Sequence, residues 1–578
     1  MIPALIALLF LLGGYFLYGS AGHDDSHITF WASYTLSEFG EILSYNGDRI
    51  EQSSSLLLTV LTALLAFVLR SDVVVTGYVL ANLCGALAIL LTGALMQKSG
   101  QTTIFPSRPS GQKSWSVPIF LFLLATAPAF MLWNTSGMES TLAALCILAF
   151  VWGWGRLLNE QASVNSRSLG LAATTTFALV SVRPEMISLA AAAVFLLFIW
   201  KRYTRTRGKL PILLFYSTVL LCIALLALWR YFYFGAFMPL PVHAKVGGLT
   251  SQKLLDGLYY LLRYGYANPV YVLGLLSAIA YLVQLLYKKQ NGSEVNYYPL
   301  LGAFLLLSYS AFILLNGGDW MESGRFLVPV LPLAAIFCYH FFRQRPRAVQ
   351  WLTVLLIIAL QLHGHLKTLR TESHGVPLWA AYRISDQHHQ QYSLFEQYNQ
   401  EHLRDMEVID AIDSAIQAIG TDTRDPLALM SGQAGMVYYY TAKKYFRRVR
   451  FYDSRSLVED SLLRCPLSRK ALRGSHGLQL HQDGFFALQP QLQEQCGIPM
   501  PDLVYDINDI SRELPERIAS HGYRLIYSEK NKIVEAAPGW PLNPLFPVNF
   551  IMAKKEYPGS LVPEITSYYR EKPLVSRW

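Results

Sequence analysis

Long apolar runs separated by short polar segments fill the first 366 residues of the chain. A helix needs roughly 20 consecutive apolar residues to cross a bilayer. Nine runs come close to that length, near 2–19, 72–96, 115–133, 139–157, 210–233, 268–287, 297–315, 326–342 and 348–366. A further run, 168–200, contains the charged break Arg183-Pro184-Glu185, which predicts two helices that meet at one membrane face. The pattern therefore predicts about eleven transmembrane helices.

The stretch from Ser53 to Leu69 has only 17 residues and ends at Arg70, so it either crosses the bilayer or lies in its outer interface. Short cytoplasmic loops collect Lys and Arg. If the stretch does not cross and the N-terminus is cytoplasmic, the inner loops hold fifteen Lys and Arg against two acidic residues, Glu160 and Glu294. We therefore predict an interfacial or re-entrant segment here, a cytoplasmic N-terminus and an extracytoplasmic position for everything after the last span.

The first run has an alternative interpretation as a cleaved signal peptide, because the small residues 19–22 follow it. The positive residues that normally precede the apolar part of a signal peptide are missing. Cleavage would also leave His23, Asp24 and Asp25 on a loose end, whereas a retained span holds them at the membrane surface. A retained first span is therefore the favoured prediction.

The residues after the last run follow a different pattern. Apolar and polar residues alternate in 501–507 and 523–528, which predicts strands, and the spacing in 405–419 predicts a helix. The chain is therefore expected to divide into a transmembrane domain over 1–366 and an extracytoplasmic α/β domain over 367–578.

The composition agrees with a membrane protein, since 53% of the residues are hydrophobic and 15% are charged. The net charge of +9 lies wholly in residues 1–366, with 23 Lys and Arg against 14 Asp and Glu, while the remainder balances. This placement fits loop topology, so no nucleic-acid partner is predicted. Of the six cysteines, only Cys465 and Cys496 lie in the polar region, where they could pair if that region is extracytoplasmic.

Twelve of the fourteen acidic residues of the membrane half are predicted to face outward or to lie at the outer end of a helix. An ionisable group at the end of a span costs free energy unless it is paired or hydrated. The charged residues of any one loop alone are more simply explained as independent charges at the membrane interface. Together the loops predict a single outward-facing polar pocket covered by the C-terminal domain. Its expected segments are 23–30, 46–51, 134–139, 183–185, 239–245 and 317–325.

The residue types in these loops suggest a reaction. Neighbouring carboxylates such as Asp24 and Asp25 raise each other's pKa, which suits a base that takes a proton from a hydroxyl. Arg183, Lys245 and Arg325 are cations of the kind that bind phosphate. The nucleotide-binding patterns GxxxxGK[ST] and GxGxxG are both absent. A base with a phosphate clamp predicts group transfer from a phosphate leaving group, and a lipid-linked phosphate is the natural donor outside the cytoplasm.

As a series, the loop motifs resemble those of the integral-membrane glycosyltransferases of the GT-C superfamily, and within it the cell-wall arabinofuranosyltransferase-like branch. The resemblance extends over roughly 20–335, with order and spacing in agreement. The matching segments are DDSHITF at 24–30, NGDRIE at 46–51, SGMES at 136–140, RPE at 183–185, AK at 244–245 and GGDWM with RF between 317 and 326.

Three places depart from the branch. His27 stands where an aromatic residue is common, and Ser181-Val182 replace Leu-Thr. Pro239-Leu240-Pro241 stands where the branch often has P-N-T, so an expected polar contact is missing. The last departure leaves the identity of the sugar, or of its ring form, open.

The resemblance implies a mostly α, GT-C-like fold in the bacterial cytoplasmic membrane. It also implies a polyprenyl-phosphate donor that carries a sugar such as the pentofuranose arabinofuranose, and an acceptor glycan or glycoconjugate at the outer face. The implied reaction is an inverting displacement in which Asp24 or Asp25 deprotonates the acceptor hydroxyl, while Arg183, Lys245 and Arg325 hold the departing phosphate. Contacts to the sugar or acceptor are expected from His27, Glu51, Glu139, Glu185, His243, Asp319 and Trp320.

Two of these residues have simpler alternatives, since Glu51 could pair with Arg49, and Glu185 with Arg183. Histidines near the end of the last span lack the H-x-x-x-H or C-x-x-C spacing of a metal site, so no metal site is predicted from them. They are His363, His365, His374, His388, His389 and His402. Some GT-C enzymes use a divalent cation, and His23 and His27 flank the acidic pair, so the need for a cation stays open.

Two other functions fit parts of the pattern. A helix broken at Arg183-Pro184 is also typical of carriers, which would make the protein a transporter or flippase of lipid-linked sugars. Carriers, however, place polar residues near the bilayer midplane and carry internal repeats, and the two halves of this chain show none. A surface-polysaccharide ligase that uses a lipid-linked oligosaccharide would share the expected outer-face site.

Overall fold

The structure is a computed structural model of the 578-residue chain. It describes residues 2–18, 23–99, 116–159, 165–204, 210–245, 250–289, 295–319, 321–343, 345–372, 408–421, 426–467, 473–474, 477–478, 490–509, 518–528 and 547–557.

Helices make up most of the described chain up to residue 372. They are α1 (Ile2–Tyr18), α2 (Ser26–Phe39), α3 (Leu56–Leu69), α4 (Val73–Ser99), α5 (Ser116–Ala125), α6 (Pro128–Thr135), α7 (Ser140–Asn159), α8 (Ser166–Val182), α9 (Glu185–Thr204), α10 (Leu210–Phe234), α11 (Leu240–Lys245), α12 (Ser251–Ala267), α13 (Pro269–Lys289), α14 (Tyr297–Asn316), α15 (Leu331–Phe342) and α16 (Arg347–Glu372). A 3-10 segment, Glu322–Val330, precedes α15.

The helices confirm a multi-pass membrane protein. Within the described ranges, seven helical segments are long and apolar enough to cross a bilayer, and the pair α5–α6 makes an eighth if it counts as one span. The pair is bent by 57°, where Pro128 lacks the N–H that would continue the helix from α5. The predicted number of eleven spans stays a prediction, since α1 and α3 are shorter apolar helices.

Three helices before residue 372 lie where the hydrophobic pattern did not predict them, namely α2, the six-residue α11 and α12. The sequence predicts an outer loop over 23–30, and this is wrong from Ser26 onward because α2 begins there. Both α2 and α12 are too polar for an apolar-run criterion to find. On α12, Leu255, Leu258 and Leu262 are exposed at helical spacing, so the helix is amphipathic.

The chain folds into two compact units, each assembled from three separate stretches. The helical unit comprises Met1–His23, Ser54–Met238 and Gly248–Tyr398, and the mixed unit comprises Asp24–Ser53, Pro239–Gly247 and Asn399–Trp578. The domain boundary predicted between residues 366 and 367 stays a prediction, since 373–407 lie outside the described residues.

Polar contacts join one set of helix ends in the helical unit. Asn159, at the end of α7, donates to Asn296 Oδ1 over 3.2 Å, and Asn296 donates to the Lys98 carbonyl over 3.5 Å. Ser99 Oγ lies 2.6 Å from His340 Nε2 of α15. Basic residues occupy this end of the bundle, namely Lys98, Arg156, Lys201, Arg202, Arg343 and Arg345. The opposite ends of α7, α8, α9 and α14 carry the candidate residues described below.

The mixed unit contains a five-stranded sheet in the order β2-β1-β5-β7-β6. The central strand pairs are β1 with β2 and β5, both parallel, and β7 with β5 and β6, both antiparallel. The strands are β1 (Leu427–Ser431), β2 (Val449–Asp453), β3 (Arg473–Gly474), β4 (Gly477–Leu478), β5 (Leu503–Asp509), β6 (Tyr523–Ser528) and β7 (Pro547–Lys554). The helices are α17 (408–419), α18 (Met436–Tyr445), α19 (Ser461–Arg464) and α20 (490–496).

These elements match the sequence pattern closely. The alternating segment 501–507 overlaps β5, the segment 523–528 coincides with β6, and the helical spacing in 405–419 corresponds to α17. Cys465 and Cys496 form a disulfide beside the core of the sheet. The same core buries Met430, Val504 and Phe550.

Glu459 of the mixed unit is only 4% exposed. Burial raises the pKa of its carboxyl to about 8, with smaller contributions in the same direction from Asp460 and Asp453, while Ser461 N–H and Arg450 lower it. The folded state therefore holds a proton that the unfolded state releases from about pH 4.5 upward.

Stability is consequently expected to fall as the pH rises through this window. The slope contributed by Glu459 is at most about 1.4 kcal/mol per pH unit between pH 4.5 and 8, and the contribution is fully present only below that window. Unfolding midpoints across this range, compared between the wild type and Glu459→Gln, isolate the effect because Gln does not titrate. A difference in unfolding midpoint between the two proteins that does not change with pH would contradict this prediction.

Candidate functional site

A buried ion-pair cluster lies where α8 meets α9. Arg183 Nη1 donates to Glu139 Oε1 over 2.6 Å, and Arg183 Nε donates to Glu185 Oε1. All three side chains are at most 9% exposed. Tyr309 Oη contacts the same Glu185 oxygen at 3.5 Å. The alternative reading of Glu185 as a partner of Arg183 is thus confirmed, and Glu139 is a second partner.

Helix boundaries fix both carboxylates. Glu139 immediately precedes α7, and Glu185 is the first residue of α9, after Pro184. Helix N-termini present unpaired N–H groups and favour negative charge. The guanidinium of Arg183 closes the group from the end of α8. The short segments between helices therefore place an S-G-x-E and an R-P-E motif against each other.

A second buried pair lies after α14. Arg325 Nε lies 2.7 Å from Asp319 Oδ2. The two atoms make a charge contact and not a hydrogen bond. The Arg325 guanidinium also lies 5.7 Å from the ring centroid of Trp133.

The two arginines belong to one cluster, because both contact Phe326. The Phe326 ring centroid lies 5.4 Å from Cζ of Arg183 and 5.5 Å from Cζ of Arg325. Phe326 N–H donates to Tyr260 Oη over 3.0 Å, which fixes the ring's backbone. We call these five charged residues, Glu139, Arg183, Glu185, Asp319 and Arg325, the arginine cluster.

The backbone that carries Arg325 is unusual. Gly318 has φ +78°, and a Cβ there would lie 2.6 Å from the Tyr260 ring, so only glycine fits. Ser323 has φ +57°, which is uncommon for a residue with a side chain. Such conformations concentrate at functional sites, where the surrounding structure holds them.

The acidic pair is placed by the mixed unit. Asp24 and Asp25 directly precede α2. Asp24 Oδ1 accepts a hydrogen bond from Met436 N–H over 2.5 Å, at the first turn of α18. A helix N-terminus after a parallel strand binds anions through its free N–H groups. Here the occupant is a carboxylate of the chain itself.

Aromatic side chains surround His27. Its ring packs edge-on to Phe30 and Tyr439, with centroids 5.5 and 5.6 Å apart, and its side chain is buried. Tyr45 Oη contacts the Gly435 and His27 carbonyls at 3.3 and 3.5 Å. The packing fixes the start of α2 on α18, and with it the acidic pair.

The N-G-D-R-I-E segment lies on β2. Asn46 exchanges two hydrogen bonds with the Phe451 backbone, at 2.8 and 2.9 Å. Glu51 is buried, and its carbonyl accepts from Leu240 N–H of α11 over 2.9 Å. Arg49 pairs with Glu41 over 2.7 Å.

Other predicted residues are less informative. The side chain of His243 on α11 is exposed. Lys245 ends α11, but its side chain lies outside the described part of the structure, as does Trp320. Of the histidines near the end of the last span, His365 contacts Tyr18 Oη at 2.6 Å and the Thr126 carbonyl at 2.9 Å. His374, His388, His389 and His402 lie outside the described residues.

Sequence reasoning missed several residues that the structure singles out. Gly435 and Met436 hold Asp24, and neither residue belongs to the loop motifs found in the sequence. Arg230 is fully buried in the apolar α10, and a charge inside an apolar run is the signal that could have marked it. Among the described residues, no three His, Cys, Asp or Glu side chains are grouped so as to hold a metal ion.

Gly435 makes a sharp test of how Asp24 is held. A Cβ at Gly435 would overlap the Asp24 carbonyl and carboxyl group, so Gly435→Ala must move one of them. Displacing a reacting group by about 1 Å costs up to ~10²-fold in rate, so the activity proposed below should fall by ten- to a hundredfold. Gly170→Ala on α8 is the matched control, since its Cβ meets nothing within 4 Å. Full activity of Gly435→Ala would show that the position of Asp24 is unimportant.

No protein-family model matches the chain, and no curated protein is similar to it in sequence. Solved structures do share its fold. ArnT from Cupriavidus metallidurans bound to undecaprenyl phosphate aligns with a TM-score of 0.54 at 11% identity, over 97% of this chain and 98% of that one. The same protein in the apo state gives 0.52 at 10% identity, over 95% and 97%.

The Archaeoglobus fulgidus oligosaccharyltransferase, in complex with Zn and sulfate, aligns with a TM-score of 0.50 at 11% identity, over 90% of this chain and 69% of that one. ArnT and this oligosaccharyltransferase are GT-C glycosyltransferases. The likeness confirms the predicted fold class: the chain has the fold of the GT-C glycosyltransferases.

Proposed function

We propose that the protein is a glycosyltransferase that moves a sugar, a pentofuranose such as arabinofuranose, from a polyprenyl-phosphate donor to an acceptor glycan or glycoconjugate. The observation that carries this proposal is the arginine cluster. Three inter-helix segments far apart in sequence bring two guanidinium groups and three carboxylates together at one end of a GT-C-type bundle. Buried ionisable groups at a span end are a functional site by default.

The proposed reaction is an inverting displacement. Asp24 or Asp25 takes the proton of the acceptor hydroxyl, the oxygen forms a bond to the anomeric carbon, and the bond from that carbon to the phosphate oxygen breaks. Arg183, Lys245 and Arg325 stabilise the polyprenyl phosphate that leaves. Glu51, Glu139, Glu185 and Asp319 bind sugar hydroxyls, with His27, His243 and Trp320 alongside the substrates.

The charge balance of the arginine cluster refines these roles. Its three carboxylates outnumber its two cations, so a phosphate adds negative charge to a group that is already negative. Arg183 Nη2 donates to no described residue, so it can donate to a ligand oxygen without breaking either ion pair. Lys245 or a divalent cation would then supply the missing positive charge.

Two further observations support the proposed location. The basic helix ends lie opposite the arginine cluster, as expected if they face the cytoplasm of a bacterial inner membrane. The disulfide Cys465–Cys496 is typical of an oxidising, extracytoplasmic compartment. We propose a cytoplasmic N-terminus and an extracytoplasmic mixed unit on this basis.

The test is transfer by the purified protein in nanodiscs. Polyprenyl-phosphate arabinofuranose with a radiolabelled sugar is supplied with an envelope glycan, with and without EDTA. Label is expected in the glycan, and free polyprenyl phosphate should appear in equal amount. Movement of labelled lipid across the bilayer without transfer to any glycan would instead identify a flippase. Loss of transfer in EDTA would assign a divalent cation.

A further inference from the structure

A pocket of about 520 Å³ lies in the mixed unit, against the disulfide Cys465–Cys496. Its volume falls within the roughly 300–1,000 Å³ typical of small-ligand sites. None of the residues assigned above to the acidic pair, the phosphate clamp or sugar contact lines it. The pocket is therefore unexplained by the proposed reaction.

The lining is polar and carries both signs of charge. Arg49, Arg450 and Arg464 face it together with Glu459, Asp460 and Asp48, and Arg49 pairs with Glu41 outside the lining. Arg464 is engaged by Asp460 at 2.5 Å, while Arg450 forms no ion pair with any described residue. An apolar ligand finds little matching surface here, and a polyanion would meet carboxylates. A ligand rich in hydroxyl groups matches both the arginines and the carboxyl groups of the lining, since each hydroxyl donates and accepts.

The second observation is the state of Glu459. Its Oε1 accepts from Ser461 N–H over 2.6 Å, but Oε2 is buried and has no partner among the described residues. Leaving a buried carboxyl oxygen unsatisfied costs roughly 1–3 kcal/mol, and such groups mark functional positions. Since burial holds the pKa of this carboxyl at about 8, it is protonated near neutral pH and can donate as well as accept.

The walls of the pocket are rigid. Asp453 is fully buried and accepts from the N–H groups of Arg455, Leu457 and Val458 at 2.6–3.1 Å, which fixes the turn that leads to Glu459. Asp48 lies two residues after Asn46, whose two hydrogen bonds to the Phe451 backbone attach that wall to β2. The disulfide closes the remaining side. A preformed site loses little entropy on binding.

We propose that this pocket binds a neutral saccharide unit of the acceptor glycan, at a distance along the chain from the hydroxyl that reacts. This inference rests on the proposed function for the identity of the glycan as acceptor. Glu459 and Arg450 are the residues expected to contact sugar hydroxyls. Engagement of a second unit would raise the affinity for long acceptors over short ones without changing the reacting groups.

Binding is tested on the full-length protein in nanodiscs by saturation-transfer NMR. The probes are an arabinofuranose trisaccharide, methyl glycosides of rhamnose, galactose, glucose, mannose and N-acetylglucosamine at high concentration, a galacturonic acid trisaccharide, and inorganic phosphate. At least one neutral probe should bind, with Kd raised tenfold or more in Glu459→Ala and Arg450→Ala. Arg448→Ala is the matched control, because Arg448 is exposed just before β2 and does not line the pocket.

Each outcome decides the proposal. Binding of no neutral probe, binding only of the uronate or phosphate, or equal Kd in the Glu459, Arg450 and Arg448 variants would overturn it. Thermal melts of each variant show whether a loss reflects unfolding, and Glu459→Gln, which keeps a hydrogen-bonding side chain, should retain more affinity than Glu459→Ala. In the transfer assay, Glu459→Ala should raise KM for a long acceptor tenfold and leave kcat and the donor KM unchanged.

The failures of the two proposals differ. Saccharide binding that depends on Glu459 without any transfer would overturn the proposed function and leave the pocket as a glycan-binding site. Sugar transfer that continues with an unchanged acceptor KM in Glu459→Ala would overturn only the proposal that the pocket binds the acceptor.

Discussion

Replacing the catalytic base of the acidic pair with Asn is expected to lower the rate of sugar transfer by ~10²–10⁴-fold, the usual contribution of a general base. Asp24→Asn and Asp25→Asn each remove one negative charge and keep the size of the side chain. The variant that removes the base should lose kcat with little change in the donor KM, because the donor phosphate is held by other residues.

The structure makes Asp24→Asn an especially clean substitution. The Asn side chain keeps an oxygen in the place of Asp24 Oδ1, so it can still accept from Met436 N–H. If Asp24 serves only to hold the start of α18, Asp24→Asn should lower the rate of sugar transfer a few-fold at most. A loss of a hundredfold or more therefore assigns the base to Asp24, and the same reasoning applied to Asp25→Asn assigns the alternative.

Asp256→Asn is a suitable control, because Asp256 lies on α12 and its Oδ1 accepts from Gln252 Nε2 of the same helix over 2.8 Å. Initial rates at saturating donor and acceptor measure the effect. If Asp24→Asn, Asp25→Asn and the double variant all transfer sugar at the wild-type rate, the proposed mechanism is wrong.

Replacing Arg183 with Met is expected to destabilise the protein by about 3–5 kcal/mol, the usual cost of removing one partner from a buried ion pair. Glu139 and Glu185 would then face each other without a cation, and both are less than 10% exposed. Their repulsion adds to the cost of burying unpaired charge. The free energy of unfolding in micelles, with a denaturant titration, measures this loss.

The two carboxylates supply the controls for this prediction. Glu185→Gln leaves one carboxylate for one guanidinium, so a much smaller loss than in Arg183→Met is expected. Glu139→Gln should behave in the same way. Equal losses in all three variants would mean that packing, and not charge pairing, decides the stability of this cluster.

Much of the fold could be predicted from sequence because apolar length and charge placement act locally. A run such as 72–96 must cover a bilayer's thickness whatever surrounds it, and it is α4. The alternation in 523–528 likewise gives β6. By contrast, α2 and α12 were missed, since each is helical through packing or an amphipathic face and not through continuous apolarity.

The candidate residues show the same division. Glu139 and Glu185 could be marked from sequence because a carboxylate at the end of an apolar run is costly. That both bind Arg183 could not be derived with certainty, since the approach of α7 to α8 depends on how the helices pack. Met436 could not be found at all, because its function is carried by a backbone N–H, which every residue but proline has.

The sequence by itself determined that this chain is a multi-pass membrane protein with a separate polar region, and which charged side chains are candidates for chemistry. It could do so because burial of apolar residues and exclusion of charge from lipid are set by residue type. Only the tertiary structure decided which charges pair, that Asp24 caps α18, and that a polar pocket lies beside the disulfide Cys465–Cys496. Those features depend on distances between residues far apart in the chain, which packing of the whole molecule fixes.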